Sequence, residues 1–254
     1  MDLVIEQAIN DTSFEVDLID GGGEASVTDV AITLLDAHDA STKMQWMHTL
    51  NQFGKPDTIP VDPIPTYDVI VHTVPQLRRN DVRLQPRMHN YVRFENAGQG
   101  VLRAEFARGL RNGYGQLPIT IFTAGSSVPL LVTSLNQEVH LLEGAYDVYF
   151  PTHPPILISD VSIQEGSLYP VSIPQPGVLQ LNGFLMGFAT VLNADHEVVY
   201  QWKSGKSTPV GQHLLQPGDY TFVYRARSAQ SIEFSFVKSF NIRSGNTTHL
   251  SING

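Results

Sequence analysis

The chain has 254 residues and a formal net charge of −9, an acidic balance that opposes nonspecific attraction to phosphate backbones and anionic lipid surfaces. A hydrophobic share of 42% against 16% charged residues supports packed cores and argues against disorder. With no cysteine, disulfides, thiolate metal sites and cysteine nucleophiles are excluded.

The N-terminus, Met1-Asp2-Leu3-Val4, lacks the basic region and apolar stretch of a signal peptide, and no run of about 18 apolar residues follows, so neither membrane insertion nor nucleic-acid binding is expected. From about Phe14 onward, 20 Gly and 16 Pro punctuate short segments rich in Val, Ile, Thr, Tyr and Phe, the pattern of an all-β protein. The stretch Thr42 to Leu50 reads equally as a short helix or as a strand at a sandwich edge. Next comes Tyr67-Asp68-Val69-Ile70-Val71, which places Tyr67, Val69 and Val71 on one strand face. Asp81-Val82-Arg83-Leu84, a turn over Gln85 to Asn90 and the strand Tyr91-Val92-Arg93-Phe94 complete a unit.

The same series is then written twice more. Gly100-Val101-Leu102 opens the second unit, Tyr146-Asp147-Val148-Tyr149-Phe150 carries its tyrosine, Asp160 to Ile163 matches Asp81 to Leu84, and Tyr169 to Ile173 closes it after the turn at Gly166. Gly177-Val178-Leu179, Tyr220-Thr221-Phe222-Val223-Tyr224, Ser239 to Ile242, the turn at Gly245 and His249 to Ile252 form the third, with a longer hairpin after Tyr220. Boundaries near Ala97 and Pro176 give units 1–97, 98–176 and 177–254. The junctions are short, Asn96-Ala97-Gly98-Gln99 and Pro174-Gln175-Pro176, and with the repeat they predict three tandem antiparallel β-sandwiches arranged as a semi-rigid rod. Tyr67, Tyr146 and Tyr220 are the structural anchors of the repeat: burying an aromatic ring contributes roughly 1.5–3 kcal/mol, and the hydroxyl can bond nearby backbone as in the tyrosine corner of immunoglobulin-type sandwiches.

Leu215 to Tyr220, Asp160 to Gly166 and Ile173 to Leu179 together spell a series that resembles the C-terminal tandem modules of bacterial envelope proteins beginning with a von Willebrand factor A domain. More broadly it resembles prealbumin-like and carboxypeptidase-regulatory-like sandwiches. The resemblance implies an extracellular, cell-surface or periplasmic setting, attachment to an upstream domain, and a role in adhesion, scaffolding or spacing through a protein partner or surface glycan. The Asp-x-Ser-x-Ser metal motif of the A domain is absent, so no such metal site is implied.

Chemistry is sparse. Nine histidines show no His-x-His or His-Glu-x-x-His spacing, so no metal or other cofactor is expected. His72 falls at the end of the Tyr67 strand, where it would line a groove between units. No Gly-x-Ser-x-Gly elbow occurs, and Ala124-Gly125-Ser126-Ser127 reads as a hairpin turn. Asp81 and Asp160 recur in the same frame, which favours bonding to backbone N–H groups over catalysis. Arg78, Arg79, Arg83 and Arg87 read as a solvated face or a charged strand edge. Trp46 and Trp202 read as packing residues. The loop from Ala107 to Gly115, with Arg108, Arg111 and Tyr114, has the composition of a binding loop. A noncatalytic structural, adhesion or spacer segment is the expectation, with a carbohydrate- or small-ligand-binding module set as the alternative.

Overall fold

The computed structural model describes residues 12–25, 29–107, 117–209, 211–229, 231 and 235–252. These form 21 strands in six sheets and no helix, hence no helix long and apolar enough to cross a membrane. The first seven strands are β1 (Ser13–Leu18), β2 (Val30–Asp36), β3 (Thr42–His48), β4 (Ile59–Pro60), β5 (Thr66–Val71), β6 (Leu77–Arg83) and β7 (His89–Phe94). They build a three-stranded sheet, β4-β1-β7, and a four-stranded one, β3-β2-β5-β6. Strand alternation sends Phe14, Val16 and Leu18 of β1 inward against Ile32 and Leu34 of β2 and Tyr67, Val69 and Val71 of β5, making one apolar core between the sheets.

The arrangement repeats. In the second sandwich β8 (Gln99–Phe106), β9 (Pro118–Thr123), β10 (Pro129–Ser134), β11 (Glu138–Leu142), β12 (Gly144–Phe150), β13 (Ile156–Ile163) and β14 (Leu168–Ile173) give sheets β11-β8-β14 and β10-β9-β12-β13. In the third, β15 (Gly177–Asn182), β16 (Phe184–Leu192), β17 (Val198–Pro209), β18 (Gln212–Leu215), β19 (Gly218–Ala226), β20 (Ser235–Ile242) and β21 (Thr247–Ser251) give β18-β15-β21 and β17-β16-β19-β20. Each has its own apolar core, centred on Tyr146, Val148 and Phe150 in one and on Tyr220 and Phe222 in the other.

The sandwiches are not wholly antiparallel. Each three-stranded sheet pairs its first and last strands in parallel, β1 with β7, β8 with β14 and β15 with β21. Hairpins force antiparallel neighbours, whereas these strands are joined only through the rest of the unit, so no turn dictates their direction. The stretch Thr42–His48 is strand β3, with Met44 and Trp46 packed against the first core. After Tyr220 the β19–β20 ladder extends to Arg225 and Ser235, against Phe150 and Ile156 in the second sandwich, so both the ladder and its loop are longer.

Two details explain why the first copy is the most divergent in sequence. The turn before the last strand needs a left-handed residue, supplied by Gly166 (φ +66°) and Gly245 (φ +68°) but by Arg87 (φ +62°) in the first sandwich. There the Arg87 N–H donates to Thr12 Oγ1 (2.9 Å), whereas Gly166 and Gly245 donate to the main-chain carbonyls of Gln99 and Pro176. Thr12 stands where the other copies have Gly100 and Gly177, and its side chain supplies an acceptor that a glycine cannot. Because Arg87 is exposed and strained, Arg87→Gly is expected to stabilise the first sandwich by about 0.5–1 kcal/mol, relief of left-handed strain outweighing the glycine's entropy. Urea unfolding checks this; an unchanged or lower midpoint would contradict it.

The recurrent aspartates work the other way round from the sequence reading. Asp81 (φ +57°) and Asp160 (φ +58°) are themselves the left-handed residues, lying where the strand registers shift. Their N–H groups donate to Asp68 Oδ1 and Asp147 Oδ1, both at 3.0 Å. The carboxylates following Tyr67 and Tyr146 hold the bulges, and Arg78 pairs with Asp68 at 2.6 Å.

Candidate functional site

Arg108, Arg111 and Tyr114 lie outside the described residues. The three tyrosines are buried, at 2%, 2% and 4% exposure for Tyr67, Tyr146 and Tyr220. Their hydroxyls donate to main-chain carbonyls of Asp62 (2.7 Å), Leu142 (2.8 Å) and Gln216 (2.8 Å). Burial pushes the Tyr146 hydroxyl up to about 12, and burial with the nearby Asp62 and Asp36 charges does the same for Tyr67. Both therefore remain proton donors at any physiological pH.

Leu142 and Gln216, each four residues before their tyrosine, have a second task. The Leu142 N–H donates to the Val74 carbonyl of the first sandwich at 2.8 Å, and the Gln216 N–H to the His153 carbonyl of the second at 2.7 Å. Val74 and His153 occupy the same position in the loop after the tyrosine strand. Each sits inside a Thr-x-Pro element whose threonine hydroxyl donates to the proline carbonyl, Thr73 to Pro75 (2.7 Å) and Thr152 to Pro154 (2.6 Å). One corner thus joins a sandwich's own tyrosine to its predecessor. In the first sandwich the equivalent position is Pro63, which has no N–H.

Beyond this shared bond the two seams differ. At the first, Val74 packs into the apolar core of the second sandwich. Glu143 clasps both sides: its N–H donates to Gly98 O (2.9 Å), its Oε2 accepts from Gly21 N–H (2.9 Å) and its Oε1 from Glu165 N–H (3.2 Å). At the second, Pro217 stands in the place of Glu143, and the contact is aromatic. The His153 ring lies 4.4 Å from that of Tyr200, which stacks on Trp202 at 5.5 Å, while His213 sits 4.8 Å from Trp202.

Each seam borders a depression. Beside the first, a cleft of about 630 Å³ is lined by His72, His140, Asp29, Gln99, Val74 and Val101. His72 thus does line a groove between sandwiches, its Nε2 2.8 Å from Thr33 Oγ1. Beside the second, a groove of about 350 Å³ is lined by Pro154, Pro155, Ile156, Asn193, Asp195 and Gln216 among others. Among the described residues no group of three or more His, Asp or Glu is placed to hold a metal ion. Sequence reasoning missed Val74, Leu142, Glu143, His153 and Gln216; the recurring Thr-x-Pro at Thr73 and Thr152 was the available signal.

No protein-family model matches the chain, and no curated protein matches it. Among solved structures, it is similar to a streptococcal ancillary pilin (TM-score 0.31, 12% identity, covering 94% of this chain and 98% of that one). It is also similar to the major pilin subunit of Bacillus cereus (TM-score 0.27, 9% identity, 95% and 98% covered). A third is the TIE protein of Bacillus anthracis (TM-score 0.26, 12% identity), where it covers 94% of this chain but spans half the length of that protein.

Proposed function

We propose that this chain is a noncatalytic spacer or adhesion segment of a surface, periplasmic or secreted protein, three sandwiches divided near Ala97 and Pro176 and holding a fixed relative orientation. The observation that carries this is the seam bond made twice from the same two positions, Val74 to Leu142 and His153 to Gln216. A bond anchored on a rigid tyrosine corner transmits orientation, whereas a flexible linker would not. Amide nitrogen relaxation of the full chain at neutral pH tests it: one rotational correlation time for all three sandwiches is expected, and three independent values would overturn it.

The cleft beside His72 and His140 supports a second reading, binding of a carbohydrate or another small polar ligand, since about 630 Å³ falls within the ~300–1,000 Å³ of small-molecule sites. A glycan array tests that reading, a specific hit lost in His140→Ala favouring it and a blank array removing it.

A further inference from the structure

The second seam is polar where the first is apolar, at three equivalent positions. His153 replaces Val74, His213 replaces Val139 and Gln216 replaces Leu142, each pair occupying the same place relative to its tyrosine or its strand partner. At the first seam, Val74 and Val139 pack against one apolar core and Leu142 is buried. At the second, His213 Nε2 and both polar atoms of the Gln216 side chain are buried with no hydrogen-bond partner. A buried polar group left without a partner loses its hydration with no compensating bond, so this seam is the weaker by construction.

We propose that the joint between the second and third sandwiches is an acid-released hinge: neutral His153 and His213 close it over Tyr200 and Trp202, and protonation frees the third sandwich to reorient. Among the described contacts, the Tyr200 ring faces both imidazoles and the Trp202 ring faces that of His213, while the Gln216 N–H holds the His153 main-chain carbonyl and the charge of His153 acts on His213. The carboxylates of Asp195 and Asp219 line the neighbouring groove. Burial holds His153 below the ordinary imidazole value; burial, and then the charge of His153, do the same to His213.

The sign follows from linkage. A closed joint that resists protonation takes up fewer protons than an open one, so closure is complete above the free imidazole value near ~6.5 and weakens as pH falls through the lower closed-state values. The first seam has Val74 and Val139 at these positions, with no imidazole there to protonate, so it stays shut over the same range.

This inference rests on the rigid-spacer reading, and one experiment separates their failures. Amide relaxation is recorded on the full chain at about pH 7.5 and about pH 5, for the native sequence and for the double variant His153→Val/His213→Val, which borrows the residues of the first seam. Independent tumbling already at the higher pH would defeat the spacer reading. If the chain is one body there, the third sandwich alone is expected to acquire a shorter correlation time at the lower pH, with amide dispersion preserved, and the double variant to remain one body. An acid-insensitive native chain, the same release in the double variant, or equal release at the first seam would overturn the hinge. Carbon-detected titration of the two imidazoles gives an independent check: both midpoints are expected below the ordinary imidazole value of ~6.5, and midpoints equal to it would also overturn the hinge.

Discussion

Replacing Tyr146 with alanine is expected to cost the second sandwich about 3–5 kcal/mol, a large part of the 5–15 kcal/mol that holds a domain folded. The ring is the largest fully buried side chain in the described structure, packed between Val148 and Phe150 of its own strand and the β8 face, and no neighbour can collapse into a void of that size. Tyr146→Phe separates ring from hydroxyl. It keeps the packing and removes only the 2.8 Å bond to the Leu142 carbonyl, so about 1–2 kcal/mol is expected. The phenylalanine variant should also loosen the first seam, because Leu142 is the residue whose N–H holds Val74. Denaturant unfolding of both variants checks the ranking; equal losses would mean that the hydroxyl, not the ring, carries the anchor.

The tyrosines were legible in the sequence because two regularities coincide on them: period-two apolar residues and a repeat of 74 to 79 residues. Strand positions followed from the same pattern, and the hairpin turn at Gly125 from its glycine, which has φ +74°. The stretch Thr42–His48 stayed ambiguous because seven residues sample too few turns of either period, and only its pairing with β2 and the packing of Met44 and Trp46 decide it. The parallel pairing of first and last strands has no local signature at all, since no turn connects them.

The seams were harder still, for a chemical reason. They are made mainly by main-chain N–H and C=O groups, which every residue other than proline offers alike, so composition does not mark Val74, Leu142, His153 or Gln216. What marks them is their frame relative to Tyr67, Tyr146 and Tyr220. The first sandwich hid its turn residue for a related reason: a search for glycine passes over Arg87, whose left-handed backbone is held through the Thr12 hydroxyl. Thr12 and Arg87 together do what Gly100 with Gly166, and Gly177 with Gly245, do elsewhere.

That substitution of one device for another makes Gly177→Ala the most informative backbone test. A methyl group at Gly177 would lie 2.5 Å from the Arg243 carbonyl oxygen and 2.7 Å from Ile242 Cγ2, and at Gly100 it would meet the corresponding Gln164 carbonyl and Ile163 methyl. Neither side can yield easily. The Val178 N–H is bonded to the Asn246 carbonyl at 2.8 Å and the Gly245 N–H to the Pro176 carbonyl at 3.1 Å, so the first strand and the turn are clamped together across the added atom. Overpacking against main chain on both sides is expected to cost about 3 kcal/mol, the upper part of the usual range. The first sandwich predicts the exception: Thr12 is fully buried at the same place, and its own hydroxyl takes the bond from Arg87. Thr12→Gly should therefore destabilise by about 1–2 kcal/mol through loss of that acceptor, although glycine is the residue the other copies use. Combined with Arg87→Gly, its cost should fall below the sum of the single changes, because the turn regains the freedom that the other two copies have. Unfolding midpoints of the three variants decide it, and strict additivity would show that the two positions are not one device.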